Sequence, residues 1–117
     1  MTTQEVADRF NELAQQGQFE QILDELFADD AKSIEPAGSM FPDVQGLAAI
    51  KEKGKQFHDM IEEMHGGYTG APMVAGNYFT CVMGMDVTLK GQPRMSMDEV
   101  AVYHVQDGKI KSEQFFF

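Results

Sequence analysis

The sequence predicts an α+β domain in which helices come first and strands follow. Apolar residues recur at helical spacing in the first half of the chain, whereas they alternate with polar residues in the second half. Near the C-terminus, Asp107-Gly108 separates two strand-like runs, and Asp and Gly accept the positive φ angles that a type I′ hairpin turn requires. This order of elements predicts helices packed on one face of an antiparallel sheet.

The first two predicted helices are short and amphipathic. Thr2 and Glu5 have the spacing of a capping box, in which each side chain satisfies a backbone donor of the other residue. The first helix is predicted to end at Gly17, and the second carries an apolar stripe over residues 19–27. Because a glycine joins them, we expect the two helices to lie side by side.

The third predicted helix starts near Gly46 and ends at His65-Gly66-Gly67. Its apolar stripe includes Ile61 and Met64 in the last turns. Gly54 also lies on this stripe, where glycine costs about 1 kcal/mol relative to alanine. We therefore expect Gly54 to make room for a ligand.

Four strand regions are predicted. A short strand over residues 31–35 is ended by Pro36, because the residue before a proline is restricted to an extended conformation. Residues 68–75 and 78–89 follow as strands, and residues 95–117 form the closing hairpin. These strands supply the predicted sheet.

The register of the closing hairpin follows from its turn. If the loop is Asp107-Gly108 alone, one face carries the pairs Val105–Ile110, Tyr103–Ser112 and Ala101–Gln114, and the other carries Val102–Glu113, Val100–Phe115 and Asp98–Phe117. The second face then places two carboxylates among large aromatic residues. Glu99 points the other way in this register, and a β-bulge in the hairpin would exchange the roles of Asp98 and Glu99.

Composition excludes several classes of function. The net charge of −10 over 117 residues argues against binding to nucleic acid or to anionic membrane surfaces. No apolar run approaches the roughly 20 residues of a membrane span. Cys81 is the single cysteine, so no disulfide framework or thiolate metal site is expected. We expect one cytoplasmic domain over residues 1–117 without a metal or cofactor.

Several short stretches resemble the nuclear transport factor 2-like superfamily, which also has a cystatin-like fold. Gln4-Glu5-Val6, Ala28-Asp29-Asp30-Ala31 and Gly91-Gln92-Pro93 resemble the ketosteroid isomerases, and Asp107-Gly108-Lys109-Ile110 followed by Phe115-Phe116-Phe117 is similar to the ending of SnoaL-like domains. The similarity covers almost the whole chain. It implies a cone in which three N-terminal helices pack on a curved antiparallel sheet around a pocket, and commonly a homodimer formed through the sheet.

The resemblance also implies roles for individual residues. Glu35, which precedes Pro36, takes the place of the isomerase general base. Phe10 stands where those enzymes have a catalytic tyrosine, and Val100 stands where they have a protonated aspartate. Both oxyanion donors are therefore missing, and the resemblance does not extend to steroid isomerisation.

The same resemblance implies which residues line the cavity. They are Phe10, Ala14, Gly54, His58, Met83, Met85, Ser96, Asp98, Val100, Glu113, Phe115 and Phe117. Asp98, Val100, Glu113, Phe115 and Phe117 also share a face in the register counted from the turn. The methionines would form a pliable wall for a small apolar or aromatic ligand.

Three of these residues are candidates for catalysis. Glu35 would be the general base, since burial under apolar side chains makes a carboxylate a better proton acceptor. Asp98 would face His58 across the pocket and orient the imidazole for proton transfer. The alternative is that all three side chains are solvated at the surface.

Three functions remain open on the sequence. The first is acid–base chemistry on an apolar carbonyl compound, such as isomerisation, cyclisation or dehydration, as in the SnoaL-like cyclases. The second is a non-catalytic ligand-binding protein, and the third is a dimeric scaffold of the same fold. Polar groups that converge inside the cavity would favour the first.

Overall fold

The computed structural model describes all 117 residues and contains three helices and seven strands. The helices are α1 (Thr3–Gln15), α2 (Phe19–Leu26) and α3 (Leu47–Met60). The strands are β1 (Phe27–Ile34), β2 (Val44–Gln45), β3 (Ile61–Thr69), β4 (Met73–Ala75), β5 (Tyr78–Leu89), β6 (Arg94–Gln106) and β7 (Lys109–Phe116). None of the helices combines the length and apolar character needed to span a membrane.

Helix α1 begins at the predicted capping box. The backbone N–H of Glu5 donates to Thr2 Oγ1 over 3.1 Å, and the backbone N–H of Thr2 donates to Glu5 Oε1 over 2.9 Å. One face of the helix is buried against the sheet and includes Val6, Phe10 and Leu13. The cap fixes where the helix starts, and the apolar stripe fixes which side faces the core.

The strands form one curved, unclosed sheet in the order β2-β1-β7-β6-β5-β3, with β4 paired to β5. Helices lie on one face, so the α+β cone predicted from the sequence is confirmed. The sheet is mixed rather than wholly antiparallel, because β1 runs parallel to β7. This parallel pair places the first strand of the chain beside the last.

Helix α3 ends earlier than the sequence pattern predicts. It stops at Met60, and Ile61 and Met64 belong to strand β3 instead of the last helical turns. Gly66 and Gly67 lie inside β3, where a Cβ atom on Gly67 would come within 3.1 Å of the Gly84 carbonyl oxygen. The glycines thus allow close approach of β3 to β5 and do not terminate a helix.

The closing hairpin has the predicted turn but a shifted register. Asp107 and Gly108 have φ angles of 53° and 75°, as a type I′ turn requires. Val105 pairs with Ile110, but His104 pairs with Ser112, so Lys111 is an extra residue on β7. This β-bulge shifts every later pair by one residue relative to the register counted from the turn.

The hydrophobic core lies between the helices and the inner face of β5, β6 and β7. Its centre is an aromatic cluster of Phe10, Phe79 and Tyr103, in which the Tyr103 ring centroid is 4.8 Å from each of the other two. Core residues fill the narrow end of the cone. At the other end of the same face, polar side chains replace the apolar ones.

Candidate active site

Five polar residues converge on the inner face of the sheet beside α3. We call Ser33, Glu35, Lys53, Glu99 and Glu113 the inner cluster. Ser33 and Glu35 are two residues apart and share a face of the β1 segment, and Ser33 pairs with Glu113 of β7. Lys53 reaches the same point from α3. Four elements of the fold therefore meet at this cluster.

The ammonium group of Lys53 is held by several partners. It donates to Ser33 Oγ and to Glu35 Oε1, the latter over 2.9 Å, and it lies 5.7 Å from the centroid of the Phe115 ring. The side chains of Lys53 and Glu35 are only 12% and 10% exposed. Ser39 donates to the second oxygen of Glu35 over 3.3 Å. The ion pair is thus largely shielded from water.

Glu113 is buried, with 7% of its surface exposed, and its Oε2 atom has no hydrogen-bond partner. The pKa of Glu113 is raised to about 7, chiefly by burial. The charges of Glu35 and Glu99 also raise this pKa, whereas Lys53 and the Ser33 hydroxyl lower it. A carboxyl group in this state can hold or release a proton near neutral pH.

Glu99 is the second carboxyl group with a shifted pKa. Burial raises its pKa to about 7, the charge of Glu35 adds to the shift, and Lys53 opposes it. The charge of Glu99 also contributes to the raised pKa of Glu113, so two carboxyl groups with raised pKa values lie in one cluster. Such a pair can supply a general acid and a general base together.

Tyr103 lies next to the cluster and is 3% exposed. Its hydroxyl has one weak partner, the Met83 sulfur, at 4.0 Å. The pKa of Tyr103 is raised, first by burial and then by the charge of Glu113. Phe10 packs against the Tyr103 ring, so a phenol hydroxyl is present beside the position where the resemblance had placed one.

The predicted cavity position of Asp98 is wrong. Asp98, Val100 and Ser96 are exposed on the outer face of the sheet, and Asp98 accepts a hydrogen bond from Tyr68 Oη over 2.9 Å. Glu99 shares the inner face of β6 with Ala101 and Tyr103, and the bulge at Lys111 brings Glu113 onto that face instead of the face of Asp98. Asp98 and Glu99 exchange roles, which was the alternative left open.

The predicted positions of His58 and Gly54 are also wrong. Both residues are exposed on α3, and nothing lies within 4 Å of a Cβ atom built on Gly54. The inward face of the helix carries Ile50, Lys53 and Phe57 instead. His58 therefore has no contact with Asp98, and the proposed imidazole–carboxylate pair does not form.

The remaining predicted cavity residues divide into three groups. Glu35, Glu113, Phe115, Met83 and Met85 lie on the inner side, as the prediction requires. Phe10 and Ala14 are also inward but are packed into the closed core. Phe117 follows the last strand and is 66% exposed. The roles of Glu35 and Glu113 stay predictions.

Three residues of the site were not predicted from the sequence, namely Ser33, Lys53 and Tyr103. Lys53 had a usable signal, because it falls three residues after Ile50 and four before Phe57 on the apolar stripe of α3. A charged residue at such a position needs a buried partner. Ser33 and Tyr103 carried no comparable signal, because both alternate normally along their strands.

The inner cluster is distinct from two surface clefts. One cleft lies between residues 1–4 and the β6–β7 turn, and the other lies on the outer face between Tyr68 and Asp98. Neither contains a buried carboxyl group. There is also no group of three or more His, Cys, Asp or Glu side chains arranged to hold a metal ion. Convergent titratable groups therefore identify the inner cluster as the candidate site.

A curved sheet with helices on one face and polar groups converging inside defines the class of cystatin-like and nuclear transport factor 2-like pocket proteins. A model of the SnoaL-like domain matches residues 1–117. The chain therefore belongs to the SnoaL-like family. The comparison with curated proteins gave no match.

Several solved structures share this fold. A protein from Mesorhizobium loti, described as a SnoaL-like polyketide cyclase and also as a carbohydrate phosphatase, is 35% identical, with 100% of both chains covered and a TM-score of 0.93. A protein with a cystatin-like fold from Xanthomonas campestris is 17% identical over 99% of this chain and 90% of its own, with a TM-score of 0.80. TerC, crystallised with polyporic acid, is 18% identical over 98% and 90%, with a TM-score of 0.76.

Proposed function

We propose that the chain is a pocket protein that carries out acid–base chemistry on an apolar carbonyl compound without a cofactor. The observation that carries this proposal is the convergence of Glu35, Glu99 and Glu113 around Lys53 on the inner face. Isomerisation, cyclisation and dehydration of carbonyl compounds all use removal of a proton from the carbon beside the carbonyl group. That step needs a base, an acid and a group that stabilises the enolate oxygen.

The cluster contains a residue for each of these tasks. Glu99 and Glu113 have pKa values of about 7, so one can accept the carbon proton while the other donates a proton. Lys53 is the cation that would stabilise negative charge on the carbonyl oxygen. Glu35 remains a candidate base, although its contact with Lys53 also suits it to hold the ammonium group in place.

Two of the similar solved structures support an apolar carbonyl compound as the ligand. The Mesorhizobium loti protein is described as a polyketide cyclase, and TerC was crystallised with polyporic acid. The wall of Met83, Met85 and Phe115 in this chain is suited to an apolar or aromatic carbonyl compound.

Hydrogen–deuterium exchange tests the proposal directly. Acetophenone is incubated with the protein in D₂O, and loss of its methyl proton signal is followed by NMR. We expect exchange above the buffer rate with the wild type and a loss of about 100-fold or more in the Glu99→Gln variant, since a general base contributes 10²–10⁴-fold. Glu35→Gln shows whether Glu35 shares the role.

Asp98→Asn is the matched control, because Asp98 is one residue away but lies on the outer face. It should leave exchange unchanged. A wild-type rate equal to that of the buffer would refute the acid–base chemistry. A thermal shift with the same ketone would then support a non-catalytic binding protein, since a ligand that binds only the folded state raises the midpoint.

We also propose that the chain forms a homodimer through the outer face of the sheet. We define the outer patch as Tyr68, Tyr78, Val82, Val100 and Phe116, all of which are large apolar or aromatic residues at least 40% exposed on that face. Val82, Val100 and Phe116 pair across β5, β6 and β7, and exposed apolar residues grouped in this way are typical of a protein interface. The dimer is compatible with a catalytic role and with a scaffold role.

A further inference from the structure

Two buried polar groups beside the inner cluster lack adequate partners. Glu113 Oε2 accepts no hydrogen bond, and the Tyr103 hydroxyl has only the Met83 sulfur at 4.0 Å. Both residues are more than nine-tenths buried. A buried polar group without a good hydrogen bond destabilises the folded state, because it has lost its bonds to water.

The two groups are neighbours on one face of the sheet. Tyr103 and Glu113 are paired across β6 and β7, which brings their Cβ atoms to about 5 Å. Their interaction appears in the pKa of Tyr103, which the Glu113 charge raises. One group is a donor and the other is an acceptor, so together they present a defined polar pattern.

The protein holds Tyr103 rigidly in this position. Its ring stacks on Phe79 at 4.8 Å and an interplanar angle of 19°, and it also contacts Phe10 and Phe27. These ring contacts fix the position of the hydroxyl oxygen. A rigid side chain with a free donor is preorganised for binding, because it loses little conformational entropy when a ligand arrives.

We propose that Tyr103 and Glu113 bind a carbonyl compound that also carries a hydroxyl group or exists as an enol. The Tyr103 hydroxyl donates a hydrogen bond to the carbonyl oxygen, and Glu113 Oε2 accepts a hydrogen bond from the hydroxyl group of the ligand. The choice of a carbonyl ligand rests on the proposed function, but binding by this pair does not require turnover. Tyr103 thereby becomes a binding residue of the candidate site.

Three phenyl compounds that differ in their polar groups test the proposal. α-Hydroxyacetophenone carries an acceptor and a donor, acetophenone carries the acceptor alone, and ethylbenzene carries neither. Dissociation constants are measured by calorimetry for the wild type and for Tyr103→Phe, which removes only the hydroxyl. We expect the wild type to bind α-hydroxyacetophenone most tightly and ethylbenzene most weakly, and Tyr103→Phe to bind both ketones about tenfold more weakly.

Tyr78→Phe is the matched control, because Tyr78 is half exposed on the outer face. It should leave all three constants unchanged. Tyr103→Phe should also unfold at a higher temperature than the wild type, since it removes a poorly bonded buried hydroxyl. If the hydroxyl served only to stabilise the fold, Tyr103→Phe would instead unfold at a lower temperature than the wild type.

Equal ketone affinities in the wild type and Tyr103→Phe would overturn the proposal, as would failure of the wild type to bind α-hydroxyacetophenone. These results are distinguishable from failure of the proposed function. A protein that binds the hydroxyketone through Tyr103 but catalyses no deuterium exchange would retain this inference and lose the acid–base chemistry.

Discussion

Lys53 shows what the sequence reveals at the scale of a single residue and what it does not. Its place on the apolar stripe of α3 was visible, but the partners that make the position tolerable come from β1, far away in the chain. The resemblance to the ketosteroid isomerases implied that Glu35 takes the place of the general base and that Glu113 lines the cavity. The position of the Lys53 ammonium group beside these two residues results from tertiary contacts, which local sequence patterns do not encode.

Replacing Lys53 should destabilise the protein strongly. Lys53→Met leaves Glu35 buried without its partner, and breaking a buried ion pair from one side costs about 3 kcal/mol or more. Urea denaturation measures the loss. The control is Lys51→Met, whose ion pair with Asp24 is exposed and should cost less than about 1 kcal/mol. The double variant Lys53→Met/Glu35→Gln should recover most of the lost stability, and a simple sum of the two single effects would contradict the pairing.

Glu113 should make stability depend on pH in a defined direction. Its pKa in the folded chain is about 7, above the ordinary value of 4.5, so the folded state keeps a proton that the unfolded state loses. The contribution of Glu113 to the free energy of unfolding is fully present below about pH 4.5, and it is lost as the pH rises through 7. The free energy of unfolding of Glu113→Gln, minus that of the wild type, should therefore increase by about 3 kcal/mol from pH 4 to pH 8. Parallel stability curves from urea denaturation would refute the raised pKa.

Secondary-structure elements were predicted well where turns fix them and poorly where bulges intervene. The capping box of α1, the β5 strand and the Asp107-Gly108 turn agree with the structure. The bulge at Lys111 carries no sequence mark, yet it places Glu113 and Phe115 on the face of Tyr103 and Glu99 instead of the face of Asp98 and Val100. Lys111 contacts Asp30 over 2.7 Å, so the bulge is matched to an irregularity in neighbouring β1, which only the folded sheet reveals.

The β3 glycines provide a test of element boundaries. Gly67→Ala places a Cβ atom 3.1 Å from the Gly84 carbonyl oxygen of β5, and this backbone atom can yield only if the strands separate. We expect a loss of about 1–2 kcal/mol in thermal or urea unfolding. Gly66→Ala is the matched control, because nothing lies within 4 Å of its Cβ position, and it should change stability by less than about 0.5 kcal/mol. Equal effects would argue against this pairing of β3 with β5.

At the scale of the whole molecule, the two faces of the sheet have different tasks. The inner face carries the core and the inner cluster, whereas the outer patch has no covering element within the chain. The sequence already indicated that Phe115 and Phe116 must point in opposite directions, because neighbours alternate along a strand. The resemblance placed Phe115 in the cavity, and the structure has it on the inner face, so Phe116 is left exposed on the outer face.

Val100 offers the sharpest test of the dimer. It is 40% exposed on β6, a central strand of the sheet, so Val100→Arg would place a charge in the middle of the outer patch. Burying an unpaired charge at an interface is costly, so we expect the variant to be monomeric at concentrations where the wild type is a dimer. Light scattering after size-exclusion chromatography measures both masses. Met40→Arg is the control, since Met40 is 57% exposed but lies on the loop between β1 and β2. A monomeric wild type, or a Val100→Arg variant that keeps the dimer mass, would contradict an interface on this face.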